Sequence, residues 1–182
     1  MRVLLSGLVL IFTGCLSPGT SATSRLWEFP AVAQTSSARI KVVLPSSLRR
    51  PTVITTEDEA RTIHDLDRWS TPLGEALARQ VASHLHDLPI REAVLTVERL
   101  DVTLDGKVEL LFLAEVVLET AADNPGIPLS MNSGVLKAPA VPVAEGQPAL
   151  SAALTSYRQR VPRLMANRIR AEITARQTGV GP

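Results

Sequence analysis

The sequence has one cysteine, few aromatic residues and no excess charge of either sign. Cys15 has no partner for an intrachain disulfide. With three Phe, two Trp and one Tyr, the core must be built from Leu, Val, Ile and Ala, and few side chains remain for stacking on bases. With a formal net charge of +1, the chain has no excess of basic residues of the kind that binds a polyanion. These shortages exclude a disulfide scaffold and argue against a nucleic-acid partner.

The sequence also lacks the common motifs of phosphate binding and nucleophilic catalysis. It has no Gly-x-x-x-x-Gly-Lys, no Gly-x-Gly-x-x-Gly and no Gly-x-Ser-x-Gly segment. His84 and His86 are two residues apart on a predicted helix, so they face different sides and cannot chelate one metal ion. His64 with Asp65 and Asp67 could suggest a hydrolase, but a solvated turn is the simpler interpretation. We therefore predict no enzyme activity, no metal site and no cofactor.

The N-terminus resembles a bacterial lipoprotein signal. An apolar run from Val3 to Phe12 is too short for a membrane span, which needs roughly 20 residues. Thr13, Gly14 and Cys15 then resemble a lipobox, which predicts removal of residues 1–14 and lipidation of Cys15. Ordinary signal cleavage beside an incidental cysteine is the alternative. The resemblance further implies that Leu16, where Asp would be a retention signal, permits sorting to the outer membrane, with the protein facing the periplasm.

The mature chain is predicted to form one domain over residues 25–176. Residues 15–24 are rich in Ser, Thr, Gly and Pro and should act as a flexible tether, and residues 177–182 should form a disordered tail. Strands are predicted at 26–29, 39–44, 52–56, 60–64 and 129–131 from their β-branched and alternating residues. A domain of 182 residues or fewer with 45% apolar content has enough material for one core.

A long hairpin is the most regular feature of the sequence. Strands at 93–104 and 107–120 flank Asp105-Gly106, which predicts a two-residue turn. Apolar residues alternate along the second strand and predict one covered face, but Leu111, Leu113 and Val117 interrupt the opposite, polar face. They are predicted to contact a partner, a second layer or lipid. A change of phase near Glu98-Arg99 predicts a β-bulge on the first strand.

Two helices are predicted. The first has Thr71 as its cap and Pro72 at its first position, and its apolar stripe runs from Leu73 to Leu88. The second begins near Pro148 and contains Pro162, which should kink it or divide it at Arg160-Val161. We therefore predict an α+β two-layer domain, with a mixed or antiparallel sheet and both helices packed on one face.

The central part of the chain resembles the PqiC (YmbA) family of ABC-type transport auxiliary lipoproteins. The resemblance depends on Leu44-Pro45 with Leu48, on Arg50-Pro51 before Val53, and above all on the segment from Leu66 through Arg68, Trp69 and Pro72 to Leu73. The strand that ends at Asp105-Gly106 and the last helix fit the same family. Pro162 and the proline-rich stretch 139–148 depart from its pattern.

The resemblance implies a non-catalytic outer-membrane lipoprotein of an MCE-type transport system that moves lipid between membranes. Its partners would be an MCE-domain protein with the associated permease and ATPase, with the membrane contacted through the lipid on Cys15, and a homo-oligomer is left open. Two alternatives remain: a periplasmic lipid-binding carrier that holds an acyl chain between helix and sheet, suggested by Leu111, Leu113 and Val117, and the hydrolase considered above. Trp69 is predicted to cover the core edge before the first helix, or alternatively to contact a partner.

Overall fold

A computed structural model of the chain describes residues 23–32, 38–119, 128–142 and 144–178. The predicted signal segment, Cys15, most of the tether and residues 179–182 lie outside the described residues. The described part has a mixed α+β fold, as predicted from the sequence, but its strands form two sheets rather than one. The strands are β1 (Arg25–Trp27), β2 (Arg39–Val43), β3 (Thr52–Glu57), β4 (Ala60–Trp69), β5 (Ile90–Val102), β6 (Val108–Leu118), β7 (Pro128–Asn132) and β8 (Leu136–Ala138).

The larger sheet has five strands. Four of them lie in the order β2-β5-β6-β7, and β8 also pairs with β6, at the end of β6 that is nearer the β5-β6 loop. The β5 and β6 pair is antiparallel, whereas β2 joins β5 in parallel. Alternate residues of β5 and β6 are buried, which matches the alternation in the sequence. The register shifts between Val97 and Arg99, so the predicted bulge is confirmed. The bulge keeps Leu100 and Val102 on the buried face with Val97.

The smaller sheet has the order β1-β4-β3. Strand β4 pairs in parallel with β1 and antiparallel with β3. It extends to Trp69, well past the predicted end at His64, and includes residues 65–67, where the sequence favoured a turn. The sequence did not predict the additional residues of β4, because most β4 side chains are exposed and do not alternate regularly between buried and exposed.

Helix α1 (Leu73–His84) packs against β2 and against the C-terminal helix. Its predicted stripe is confirmed, with Leu73, Leu77, Val81 and Leu85 buried. The predicted cap is wrong: no side chain caps the helix, and Pro72 is its N-cap rather than its first residue. Pro72 has an extended backbone (φ −49°, ψ 129°), and its carbonyl accepts the first helical hydrogen bond from the Ala76 N–H.

The C-terminal helix is continuous but changes its winding before Pro162. Helix α2 (Ser151–Thr155) leads into a π-helical turn (Ser156–Arg160), and α3 (Val161–Gln177) follows directly. The sequence predicted a kink or a division at Arg160-Val161, whereas the structure has a π-helical turn that ends there without a break in the helix. A π-turn accommodates the missing proline N–H because it already departs from the usual hydrogen-bond ladder.

The loop between β5 and β6 differs from the predicted two-residue turn. The Thr103 N–H bonds to the Lys107 carbonyl at 3.0 Å, and the Gly106 N–H bonds to the Thr103 carbonyl at 2.9 Å. The loop therefore has three residues, with Gly106 in the left-handed region (φ 79°). This is the common three-residue hairpin in which a type I turn precedes a glycine bulge.

Candidate docking surface

The segment that carries the family resemblance forms the junction between β4 and α1. Trp69, the last residue of β4, is only 4% exposed, and its ring packs against Phe29 at 5.3 Å and edge-on against Tyr157 at 5.5 Å between centroids. The aromatic cluster, defined as Phe29, Trp69 and Tyr157, joins the first strand region, the smaller sheet and the C-terminal helix. Trp69 therefore packs at the core edge before α1, where the structural prediction placed it, and little of its surface is exposed.

Tyr157 fixes the smaller sheet to the C-terminal helix through a second contact. Its hydroxyl donates a hydrogen bond of 2.6 Å to the carbonyl of Ile54 in β3. The ring is 1% exposed, and burial raises the pKa of the phenol well above its usual range. The hydroxyl therefore stays protonated and acts as a donor. Nothing in the sequence pointed to Tyr157 for this role, because its partner lies 103 residues away.

Asp67 ties β1 to β4. Its carboxylate accepts hydrogen bonds of 2.8 Å from the Arg25 guanidinium and of 2.8 Å from the Trp27 indole N–H. The residue is buried, whereas the side chain of Arg25 is half exposed. Buried carboxylates need such partners. Asp67 is thus a structural anchor for β1 rather than part of a solvated turn.

The remaining family-motif residues surround the same junction. The Leu48 N–H bonds to the Pro45 carbonyl at 2.9 Å and closes a 3-10 turn over Ser46–Leu48. The Trp69 N–H donates to the Pro51 carbonyl at 2.6 Å, which brings the two motif segments together. Arg50, Arg68 and Pro72 are exposed, whereas Leu73 is buried. The motif therefore builds a framework and leaves two arginines at its surface.

Gly106 is a packing point as well as a turn residue. Its carbonyl accepts hydrogen bonds from the Ser156 hydroxyl at 2.5 Å and from Arg160 at 3.3 Å, so the hairpin tip is held on the π-turn. A Cβ at Gly106 would lie 2.8 Å from the Ala152 carbonyl oxygen. Next to it, hydrogen bonds from Lys107 and Thr103 lower the pKa of Asp105 to about 2. Asp105 and Gly106 therefore serve the fold.

The histidines are not assembled into a reactive group. His64 Nε2 is hydrogen-bonded to the Thr55 hydroxyl at 2.9 Å, and His86 Nδ1 to the Ser83 carbonyl at 2.9 Å. Asp67, the carboxylate considered with His64, is bound to Arg25 and Trp27 instead. Within the described residues, no group of three or more His, Cys, Asp or Glu side chains could hold a metal ion.

The larger sheet presents one face that no helix covers. We call it the open face, and it consists of the residues that alternate with the buried set. Its apolar centre lies on β5 and β6, where Val94 and Thr96 pair with Glu115 and Leu113, respectively. Leu113 is 38% exposed, whereas Leu111 and Val117 are half-buried. These three side chains point away from the helices, so they do not line a space between helix and sheet. The open face is the surface to which the apolar interruptions in the sequence belong.

Charged side chains occupy the end of the open face beside the hairpin tip. Arg99 bridges Asp101 at 2.5 Å and Glu109 at 3.2 Å, and Lys137 contacts Glu109 at 2.7 Å. The hydrogen bond from Lys137 lowers the pKa of the Glu109 carboxyl. These residues line a shallow cavity of about 750 Å³ together with Asp58 and Glu59 of the β3-β4 turn. The lining therefore combines these charged side chains with Val108, Ala138 and Pro139.

None of the helices in the described part of the chain is both long and apolar enough to span a membrane.

Comparison with known proteins adds a likeness of fold. No protein-family model matches the sequence, and a search of curated proteins gave no match. Among solved structures, the fold is shared by protein XCC0632 from Xanthomonas campestris, whose crystal structure is described as DUF330. It aligns with a TM-score of 0.53 and 10% identity. The alignment covers 86% of this chain and 100% of that chain.

A second solved structure, of an uncharacterized protein, aligns with a TM-score of 0.48 and 15% identity over 81% of this chain and 99% of that chain. At such low identity, the likeness to the DUF330 protein shows that the two chains share an architecture. It does not by itself show a shared activity.

Proposed function

We propose that this chain is a non-catalytic, lipid-anchored auxiliary subunit of an MCE/ABC-type system that transports lipid between membranes. The observation that carries the proposal is the Leu66–Leu73 segment, which resembles the PqiC/YmbA family and forms the buried junction around Trp69. The fold likeness to a DUF330 protein agrees with this resemblance, since DUF330 corresponds to the PqiC/YmbA-like proteins.

Anchoring is proposed to occur through Cys15. Lipidation at this residue would attach the mature chain to the periplasmic side of the outer membrane, because more than one acyl chain gives stable anchoring. The covalent lipid is the only non-protein group that the proposal requires. Residues 15–24 would let the domain reach a periplasmic partner while raising its effective concentration near the membrane.

Docking is proposed to use the open face of the larger sheet. This face has a small apolar centre of Leu111, Leu113 and Val117, framed by charged residues, which is the usual composition of a protein-binding surface. The occupant would be an MCE-domain protein that works with a permease and an ATPase. The edge strands β2 and β7 offer a further mode, in which a partner adds a strand.

The partner assignment can be tested in cells. The tagged lipoprotein would be cross-linked in vivo, purified from detergent-solubilised membranes and examined by mass spectrometry. Recovery of an MCE-domain protein or its permease supports the proposal. Recovery of bound lipid without any transport component contradicts it and favours the carrier alternative.

The anchor is tested separately with Cys15→Ser. We expect this variant to leave the outer-membrane fraction, while a Ser17→Ala variant remains there. Mass spectrometry of the wild-type N-terminal peptide should show acylation of Cys15. An unmodified Cys15 in protein recovered from membranes would contradict the anchoring step and leave the docking step to be judged by the cross-linking result.

A further inference from the structure

The smaller sheet exposes two leucines beside the start of the folded domain. Leu26 in β1 is 67% exposed, and Leu66 in β4 is 45% exposed. Leu26 pairs in register with Arg68, and Leu66 is exposed two residues before Arg68 in the same strand. Trp27, Asp67 and Trp69 face the other way, toward the interior. We call Leu26, Leu66 and Arg68 the N-terminal patch.

The short segment between Cys15 and β1 limits how far the N-terminal patch can lie from a membrane to which Cys15 is anchored. Only nine residues, 16–24, lie between Cys15 and Arg25, where β1 begins. Even when fully extended, the chain from Cys15 to Arg25 spans at most about 36 Å. Leu26 directly follows Arg25, so an anchor at Cys15 would hold the N-terminal patch close to the lipid surface.

The charge of the patch suits the surface of a bacterial membrane. The Arg68 guanidinium contacts the Asp65 carbonyl at 3.5 Å, and no carboxylate of the described residues lies within ion-pair distance of it. Its positive charge therefore remains available to anionic headgroups. Arginine beside exposed leucines suits the boundary between lipid headgroups and acyl chains, because the guanidinium can contact the headgroups while the leucines contact the acyl chains.

We propose that the N-terminal patch rests on the lipid surface that holds Cys15. Leu26 and Leu66 then contact the boundary of the acyl region, and Arg68 contacts a phosphate. The inference rests on the lipid anchor in the proposed function. A patch of two leucines is too small to bind a membrane from solution, but tethering makes the contact intramolecular and raises its effective concentration. The contact would give the domain a fixed orientation on the membrane instead of free rotation about the tether.

The test separates this contact from the question of whether cells acylate Cys15. The mature chain from Cys15 onward is coupled through its only thiol to a maleimide lipid in vesicles of phosphatidylethanolamine and phosphatidylglycerol. The two tryptophans, Trp27 and Trp69, pair in register on β1 and β4, so intrinsic fluorescence reports on this sheet. Doxyl-labelled lipid quenches emission only at short range and detects contact between the sheet and the membrane.

We expect quenching of the coupled wild-type protein and much weaker quenching of Leu26→Ser/Leu66→Ser. Loss of both apolar contacts should lower the equilibrium constant for resting on the membrane by about tenfold or more. Val135→Ser is the matched control, because Val135 is 54% exposed and lies in the β7-β8 turn of the other sheet. It should retain wild-type quenching. Arg68→Gln should weaken quenching on the anionic vesicles and leave it unchanged on vesicles of neutral lipid.

Absence of quenching in the coupled wild-type protein would overturn the proposal, and so would equal quenching of all variants. Either result would indicate that a protein partner covers the patch or that it stays in water. Thermal unfolding of each variant in solution shows whether the exposed substitutions leave the fold intact. Acylation of Cys15 in cells is measured independently, so failure of the anchor and failure of the patch give different results.

Discussion

In the larger sheet, β5 and β6 bury one face against the helices, whereas in the smaller sheet β3 is buried at three consecutive residues and β4 is exposed along most of its length. The larger sheet is therefore stabilised by a broad apolar interface. The smaller sheet depends on a few specific contacts from Trp69, Tyr157 and Asp67. Single substitutions among these contacts should therefore disrupt the smaller sheet much more easily than substitutions on the open face disrupt the larger one.

Trp69→Ala is expected to have the largest effect. Removal of a buried ring that contacts Phe29 and Tyr157 should lower the free energy of unfolding by about 3–5 kcal/mol. Urea denaturation followed by circular dichroism measures the change. Leu113→Ser, on the open face of the larger sheet, is the control and should cost about 0.5 kcal/mol or less. Similar losses for both variants would mean that the two sheets do not differ as described.

Gly106→Ala should have the next largest effect, because it tests whether the hairpin tip of the larger sheet is also a specific contact. The added Cβ would overlap the Ala152 carbonyl, and the left-handed backbone adds strain, for a total of about 2–4 kcal/mol. Gly146→Ala is the matched control: Gly146 also has positive φ, but a Cβ added there would meet no atom within 4 Å. It should lose only about 1 kcal/mol, from the strain alone. Equal losses in thermal unfolding would show that the close packing of Gly106 contributes nothing.

Tyr157→Phe isolates one hydrogen bond between the helix and the smaller sheet. The ring stays against Trp69, but the bond to the Ile54 carbonyl is lost, which should cost about 1 kcal/mol. Hydrogen exchange should increase most in β3 and β4, with little change in β5 and β6. A uniform increase across both sheets would indicate that the smaller sheet does not open on its own.

The smallest effect is expected from the ion pair that joins the loop after α1 to the middle of α3. Arg170 contacts both carboxylate oxygens of Asp87, at 2.6 and 2.7 Å, and these hydrogen bonds lower the pKa of Asp87 from 3.8 to about 2. The pair therefore contributes stability above pH 3.8, which is lost as the pH falls toward 2. Asp87→Asn should abolish this part of the acid dependence and leave both sheets unchanged. Titration of the carboxyl by NMR near 3.8 would contradict the description of this pair.

The features that the sequence predicted are those with a regular period. Alternation along β5 and β6 and the three-and-four spacing of α1 each repeat several times, so a local pattern is enough to recognise them. The bulge at Glu98-Arg99 was visible as a change of phase. The resemblance of the segment from Leu66 to Leu73 is also a local pattern, but the position of Trp69 at the centre of the aromatic cluster was not predicted.

The features that the sequence did not predict depend on distant partners or on few residues. The end of β4 could not be placed because its side chains are mostly exposed. Strand β8 has three residues, too few for a pattern, although Lys137 in it completes the charged end of the open face. Tyr157 has no local signal for its bond to Ile54. The sequence predicted that the helix changes near Pro162 but did not predict a π-turn, because proline indicates where a helix must change and not which conformation it adopts there.

The most direct test of the docking claim is site-specific photo-cross-linking in cells. A photoreactive amino acid would replace Leu113 at the centre of the open face, and in a separate strain Asn167, an exposed residue of α3 on the helix layer. We expect position 113 to cross-link to an MCE-domain protein and position 167 to give no such product. Cross-linking of the MCE-domain protein through position 167 alone, or of no transport component through position 113, would contradict the assignment of the open face as the docking surface.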